Sequence, residues 1–276
     1  MHQRAAMRTV PGSDLPESVI VNTDERGVAT VCLNRPERHN AFDDYLIAQL
    51  TDVFERCARD RDIRVIVLTG AGKSFSSGAD LEWMRSMATY SHAENLDDAR
   101  KLAGMLSALA RLPKPTVARV NGAAYGGGVG LVCCCDVAIA SRHARFALTE
   151  VRLGLAPAVI SPYVIAAIGT RQCQRYFQTG EVIKADTAIR LGVIHETVEH
   201  EYLDSAVERQ LRMLLKGGPG AQAANKQLIA EARRNASTEI MFSYTTDLIA
   251  TLRASGEGQE GLSAFLEKRP AAFNVG

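Results

Sequence analysis

The sequence predicts an α/β core followed by a helical C-terminal appendage. Three observations lead there. Strand and helix signals alternate up to about residue 200, and the run Arg64 to Thr69 (RVIVLT) is continuous and β-branched, as in a parallel sheet buried on both faces. Beyond Glu201 only helical patterning remains. At 276 residues, 46% hydrophobic and 23% charged, the chain is long enough for one large core with an appended region. No repeat period suggests a solenoid.

Taken in order, Val19 to Val21 and Val28 to Leu33 alternate as two strands around the polar turn NTDERG, a hairpin signal. Pro36 forbids a continuing ladder. Asp43 or Asp44 can cap the helix that follows, where Leu46, Leu50, Val53 or Phe54, and Cys57 recur at helical spacing. After RVIVLT comes the loop AGKSFSSGADLEWM, then a helix from Ser91 to Leu112 that Pro113 and Pro115 stop. The segment VRLGLAPAVISPYVIAAIG reads as a loop and an apolar helix. Helices follow at Gln172 to Thr179 and Ala185 to Leu191, with a short strand at Val193 to Glu196. Tyr202 to Lys216 and three further stretches up to Glu267 are helical.

The stretch from Pro115 to Glu150 carries the chemistry. It reads as a strand (Thr116 to Val120), a glycine turn, a helix opening near Gly127, a strand (Val137 to Ala140) and a turn that delivers Glu150. A helix that begins on glycines exposes backbone N–H groups and the positive end of its dipole. Gly78 likewise permits close backbone approach, and Ala79 presents an N–H beside almost no side chain. Two such N–H groups are the minimum for an oxyanion hole, and a facing carboxylate supplies a base or acid for the neighbouring carbon. The competing reading, that the glycines serve only packing and turns, needs no ligand.

Other function classes find little support. The glycines do not form G-x-G-x-x-G, and Val67 stands where a phosphate loop ending in Gly72-Lys73-Ser74 needs its first glycine. Lys plus Arg (32) nearly balance Asp plus Glu (31), and the helix over 43 to 61 has no lysine and interleaves arginines with acids; neither favours nucleic acid. The uncharged run Asn121 to Cys135 ends at Asp136, too short to span a bilayer. Residues 1–18 have no apolar core of signal-peptide length, and Asp14 and Glu17 argue against a transit peptide, so they read as a frayed tail. The six cysteines lack a disulfide pattern and look like reduced, buried residues. With no C-x-x-C or H-x-x-x-H spacing, no metal site is expected, and a cytoplasmic location is the default.

The motifs LNRPERHNAF, VIVLTG with FSSGADLEWM, NGAAYGGGVGL followed by CCDVAIAS, ARFALTEVRLGL and the C-terminal FLEKRPAAF resemble, in order, those of the enoyl-CoA hydratase/isomerase (crotonase) superfamily. The likeness covers about residues 19 to 270. It implies a spiral of ββα turns over 19–200, a helical trimerisation region over 201–276, and assembly as trimers or pairs of trimers. It also implies an acyl-CoA thioester substrate and no separate cofactor, coenzyme A being part of that substrate. By position, the family's oxyanion donors fall on Ala79 and Gly127, and Gly78, Asp80 and Gly126 lie in the same two motifs. Adenine and phosphate contacts would fall on Ala41, on Lys73, and near Phe265 and Lys268 of a neighbouring subunit, with Arg35 and Arg38 as further phosphate partners. Solvated surface charge is the competing reading for each basic side chain. Tyr163 and Ile160 are each either core packing or acyl-pocket lining.

Hydratases of this family usually carry two glutamates. This chain has Gly130 at the first place and Glu150 at the second. The combination GADLEWM, AAYGGGVGLVCCCD and EVRLGLAPAVISPYV is similar to bacterial methylglutaconyl-CoA hydratases of leucine breakdown. That likeness implies syn addition of water by Glu150 acting alone. A Δ3,Δ2-enoyl-CoA isomerase, with Glu150 as proton shuttle, and a catalytically weak thioester binder are the alternatives. Arg152 is the candidate to hold a distal carboxylate on the substrate.

Overall fold

The computed structural model describes residues 18–234 and 237–276; the expected tail therefore lies, but for Ser18, outside the described residues. The chain opens with β1 (Val19–Thr23) and β2 (Val28–Leu33), an antiparallel hairpin in which Val19 pairs with Leu33. Asp24 closes the turn by accepting from the N–H groups of Arg26 and Val28 at 2.9 Å each. Gly27 has φ +80, and a Cβ there would stand 2.2 Å from the Asp62 carbonyl oxygen, so the turn needs glycine twice over.

Helix α1 (Asp44–Arg59) starts on Asp43, whose Oδ1 accepts from the Leu46 N–H at 2.8 Å. Its face of Leu46, Ile47, Leu50, Val53, Phe54 and Cys57 is buried. Next come β3 (Val65–Gly70), β4 (Ser74–Ser76), α2 (Leu81–Met87) and α3 (His92–Ala110). A capping box between Ser91 and Glu94 starts α3. The middle of the chain runs β5 (Thr116–Val120), β6 (Ala123–Tyr125), α4 (Gly127–Cys134), β7 (Val137–Ser141), β8 (Arg145–Ala147) and α5 (Ser161–Thr179). It continues with β9 (Ile183–Lys184), α6 (Ala185–Leu191), β10 (Glu196–Val198) and α7 (Leu203–Leu214). The last helices are α8 (Pro219–Arg234), α9 (Thr238–Ala254) and α10 (Gly256–Leu266).

Two sheets result. The larger has the order β1-β2-β3-β5-β7-β10, parallel except for the opening hairpin; the smaller has the order β4-β6-β8-β9. Each of β3, β5 and β7 is followed directly by a short strand of the second sheet, then by helix, which is the spiral of ββα turns that the sequence resemblance implies. Every residue of β3 is buried, because both faces of the large sheet are covered. On one face lie α1, α3, α4 and α5; on the other, Val28, Val65, Val67, Val117 and Ile139 meet Leu203, Val207 and Leu211 of α7.

The structure differs from the sequence reading in several places. The strand expected at Val193 to Glu196 begins at Glu196: Val193 and Ile194 are buried in the turn after Gly192, and only then does the chain pair with Ile139. The two helices expected between Ile160 and Thr179 form one element broken at Gly169, whose φ of 74 and ψ of 161 are not helical. The helical region expected from 201 starts with α7, which still packs on the sheet. Burial is sparse only from α8 onward, where Ala224 and Ala264 are the buried residues of the three last helices. No described helix is long and apolar enough to cross a membrane.

Candidate active site

Between α2, α3 and the loop after Glu150 lies a cleft of about 370 Å³. Its floor is Gly78, Ala79, Gly126, Gly127 and Glu150; its walls include Phe42, Trp83, Met84, Met87, Leu102, Val159 and Ile160. Sequence positions far apart meet here because β4 and β6 are parallel neighbours, so the loops leaving their ends emerge side by side. Gly78 (φ +89) and Gly126 (φ +48) are in conformations that disfavour a side chain, and their backbones touch: a Cβ on Gly126 would lie 4.0 Å from the Gly78 Cα.

The Ala79 N–H is aimed by strand geometry. Ala79 makes a parallel bridge with Phe42, in which the Phe42 N–H donates to the Gly78 carbonyl at 2.7 Å and the Asp80 N–H donates to the Phe42 carbonyl at 2.8 Å. The residues on either side of Ala79 thus make the bonds to Phe42, and its own N–H faces the opposite way. Gly127 is the first residue of α4, so its N–H has no partner within the helix. Neither N–H finds an acceptor among the described residues. Phe42 links the two donors: a Cβ on Gly127 would stand 2.6 Å from its ring.

Glu150 follows β8, at the start of a single 3₁₀ turn that ends on Gly154. Its Oε2 is buried with no hydrogen-bond partner among the described residues, and Oε1 lies 3.2 Å from where a Gly126 Cβ would stand. Burial pushes its carboxyl up from the ordinary glutamate range, with only its own backbone N–H working the other way. An acid raised in this way is suited to taking and returning a proton near neutral pH.

The other sequence candidates are placed variously. Gly130 is buried one turn into α4, and a Cβ there would stand 2.5 Å from Ile160 Cγ2. Tyr163 packs against the core, its hydroxyl toward Ser107, and does not line the cleft. Arg35 is buried, with its guanidinium 2.6 Å from Asp43 and 3.6 Å from Asp80, and donates to the Ala41 carbonyl at 3.0 Å. Arg38 bridges Asp80 at 3.2 Å and Glu82 at 2.9 Å. Asp80 caps α2. Burial works upward on its carboxyl, but the Glu82 N–H, the Arg38 guanidinium and the Trp83 N–H outweigh it and hold it below its usual range. Lys73 is exposed in the loop before β4, and Phe265 and Lys268 are exposed at the end of α10, outside the cleft lining. Arg152 is directed away, with Nε 3.2 Å from where a Gly180 Cβ would stand.

The sequence does not single out Phe42 or Trp83, and it sets Asp98 with Asp97 and Arg100 on the outside of its helix, whereas the structure turns Asp98 into the cleft. Asp98 lines the cleft from α3, and burial pushes its carboxyl up. The nearby Trp83 indole draws it back, although Nε1 completes no hydrogen bond among the described residues. An acid on a helix whose outer face is already acidic gives no signal of its own in the sequence. No group of three His, Cys, Asp or Glu side chains among the described residues could hold a metal.

Two unpaired N–H groups beside a buried, unpartnered carboxylate have the chemistry that carbonyl-adjacent proton transfer needs. The chain belongs to the enoyl-CoA hydratase/isomerase family, whose model matches residues 23–275. The crystal structure of an enoyl-CoA hydratase from Shewanella pealeana superimposes with a TM-score of 0.90 at 41% identity, covering 93% of this chain and 96% of that one. The (E)-benzylidenesuccinyl-CoA hydratase of Thauera aromatica is 34% identical over 248 residues, 89% of this chain and 95% of the relative. The 1,2-epoxyphenylacetyl-CoA isomerase of Escherichia coli K12 is 33% identical over 257 residues, 92% and 97% respectively.

Proposed function

We propose that this chain is an enoyl-CoA hydratase, with Ala79 and Gly127 as oxyanion donors and Glu150 as the group that moves the proton. The observation that carries the reading is the unpartnered Glu150 Oε2, buried in the same cleft as two N–H groups that lack acceptors. A thioester oxygen held between those N–H groups gains negative charge as the neighbouring carbons react, and preorganised donors stabilise that charge without rearranging. In hydration, Glu150 takes a proton from water as the hydroxide adds to the β-carbon. The electron pair of the double bond passes to the α-carbon and thioester oxygen, and Glu150 returns the proton to the α-carbon on the same face. Its two oxygens permit one to hold the water while the other faces the carbon.

A second reading is favoured by Ile160. Because its side chain occupies the space beside Gly130, an apolar group stands where a second carboxylate would help to hold water. Glu150 alone is sufficient for moving a proton between the α- and γ-carbons, which is isomerisation of a β,γ-enoyl thioester.

The finer sequence expectation was methylglutaconyl-CoA, whose distal carboxylate calls for a cation. Arg152, its sequence candidate, turns toward Gly180, and no Lys, Arg or His of this chain lines the cleft among the described residues. Mass spectrometry of products from crotonyl-CoA, methylglutaconyl-CoA and a β,γ-enoyl-CoA tests the proposal. Addition of one water to an α,β-enoyl thioester is the expected result. Conversion of the β,γ-thioester alone, without gain of mass, replaces hydration by isomerisation, and turnover of none overturns both. The exposed apolar residues Phe242, Leu262, Phe265 and Leu266 support the further proposal that α8 to α10 associate with other copies in a trimer or a pair of trimers.

A further inference from the structure

We propose that Asp98 makes the cleft select acyl chains that are uncharged at their far end and turn away those that end in a carboxylate. The inference rests on the thioester-binding reading above and adds the class of acyl group.

The charge inventory of the cleft is one-sided. Glu150 and Asp98 are the carboxylates in its lining, and no basic side chain accompanies them among the described residues. Of the nearby cations, Arg85 and Arg100 are exposed and stand outside the cleft lining, and the others have partners. Lys101 is paired with Asp97 at 2.7 Å, Arg38 with Asp80 and Glu82, and Arg35 with Asp43. Asp44 and Asp97, the other charged neighbours of Asp98, add to the negative field, and Lys101 opposes it from its pair with Asp97.

The surroundings amplify that field. Asp98 shares its end of the cleft with Trp83, Met84, Met87 and Leu102, which keep water away and weaken screening. An acyl chain extending from Glu150 toward these side chains meets an apolar wall that suits hydrocarbon. A terminal carboxylate would be stripped of water there and brought toward like charge, two costs with no compensating partner. Specificity of this kind is set by repulsion of the wrong ligand rather than by a contact to the right one.

The test uses butyryl-CoA and glutaryl-CoA, saturated thioesters of similar reach that no hydratase or isomerase can turn over. Their affinities for the full-length protein are measured by isothermal titration at pH 8, above the ordinary carboxylate range. Butyryl-CoA is expected to bind about tenfold or more tightly than glutaryl-CoA, in keeping with the effect of juxtaposed like charges. Asp98→Asn is expected to close most of that gap, and Asp98→Ser to do the same. Equal affinities, tighter binding of glutaryl-CoA, or a gap that survives both Asp98 variants overturns the proposal. Because the probes do not react, the comparison holds whatever the turnover assay gives; binding of neither thioester overturns this inference and the functional reading together.

Discussion

Ile160 Cγ2 stands 2.5 Å from the position a Cβ would take on Gly130, so the side chain of one residue holds the space that the other leaves. Placing a glutamate at 130 alone would force this contact. Gly130→Glu is expected to lower Tm, since overpacking a buried site costs about 1–3 kcal/mol, equivalent to roughly 2–12 °C in a domain of this size. Gly130→Glu combined with Ile160→Ala is expected to recover much of the loss, because the large side chain then has room. Differential scanning calorimetry of the two variants checks this; additive losses would show that the contact is not what excludes the carboxylate.

The Ala79 and Gly127 N–H groups depend on Phe42 from two directions, through its backbone to Gly78 and Asp80 and through its ring to Gly127. Gly127→Ala keeps the N–H but pushes it off position against the Phe42 ring, and is expected to reduce kcat by up to about 10²-fold, the scale of losing one oxyanion donor. Adding Phe42→Leu, which shortens the obstructing side chain, is expected to restore part of that loss. Steady-state kinetics on the preferred thioester measures both.

Glu150→Gln is expected to lower kcat by about 10²-fold or more with little change in KM, as removal of a proton-transfer group should. Burial raises the folded-state carboxyl, so the neutral form is the one that folding favours. That contribution is complete below the ordinary glutamate value of about 4.3 and is lost as pH rises through the raised one. Glu150→Gln is therefore expected to match the wild-type Tm near pH 4 and to exceed it near pH 8. In the wild type, kcat/KM for hydration is expected to fall as pH drops through the same raised value.

Arg35 and Arg38 share Asp80 but differ in environment. Arg35 is buried beside Asp43, Asp80 and the Ala41 carbonyl; removing it takes its cation from the half-buried Asp43, while Asp80 keeps Arg38. Arg35→Ala is expected to cost about 1.5–3 kcal/mol in urea unfolding, the scale of a hydrogen bond to a charged group. Arg38→Ala, at an exposed pair with Glu82, is expected to leave the urea midpoint near that of the wild type.

The large sheet was legible because β2, β3, β5 and β7 are runs of five or six residues with their own hydrophobic pattern. The second sheet was not, because Ser74–Ser76, Ala123–Tyr125 and Arg145–Ala147 span three residues each and Ile183–Lys184 two, below the length at which alternation can be recognised. These strands pair because the longer ones deliver them side by side. At the site, Gly78, Ala79, Gly127 and Glu150 stood out since glycine turns and an isolated acid leave a mark in the chain. Phe42 and Asp98 left none: each acts through a contact between segments, and as a Phe or an Asp it is unremarkable where it stands in the sequence. Ile160 is open in the sequence to two readings, core or acyl pocket, and the structure puts it on the cleft wall.

The bridge at Phe42 has a spectroscopic consequence. The amides of Phe42 and Asp80 are tied into it, whereas those of Ala79 and Gly127 find no acceptor among the described residues. In hydrogen–deuterium exchange, Ala79 and Gly127 should therefore trade their protons for solvent far sooner than Phe42 and Asp80. A bound thioester oxygen would slow those two sites first, so the state of the cleft can be read from two amide resonances without any chemistry taking place.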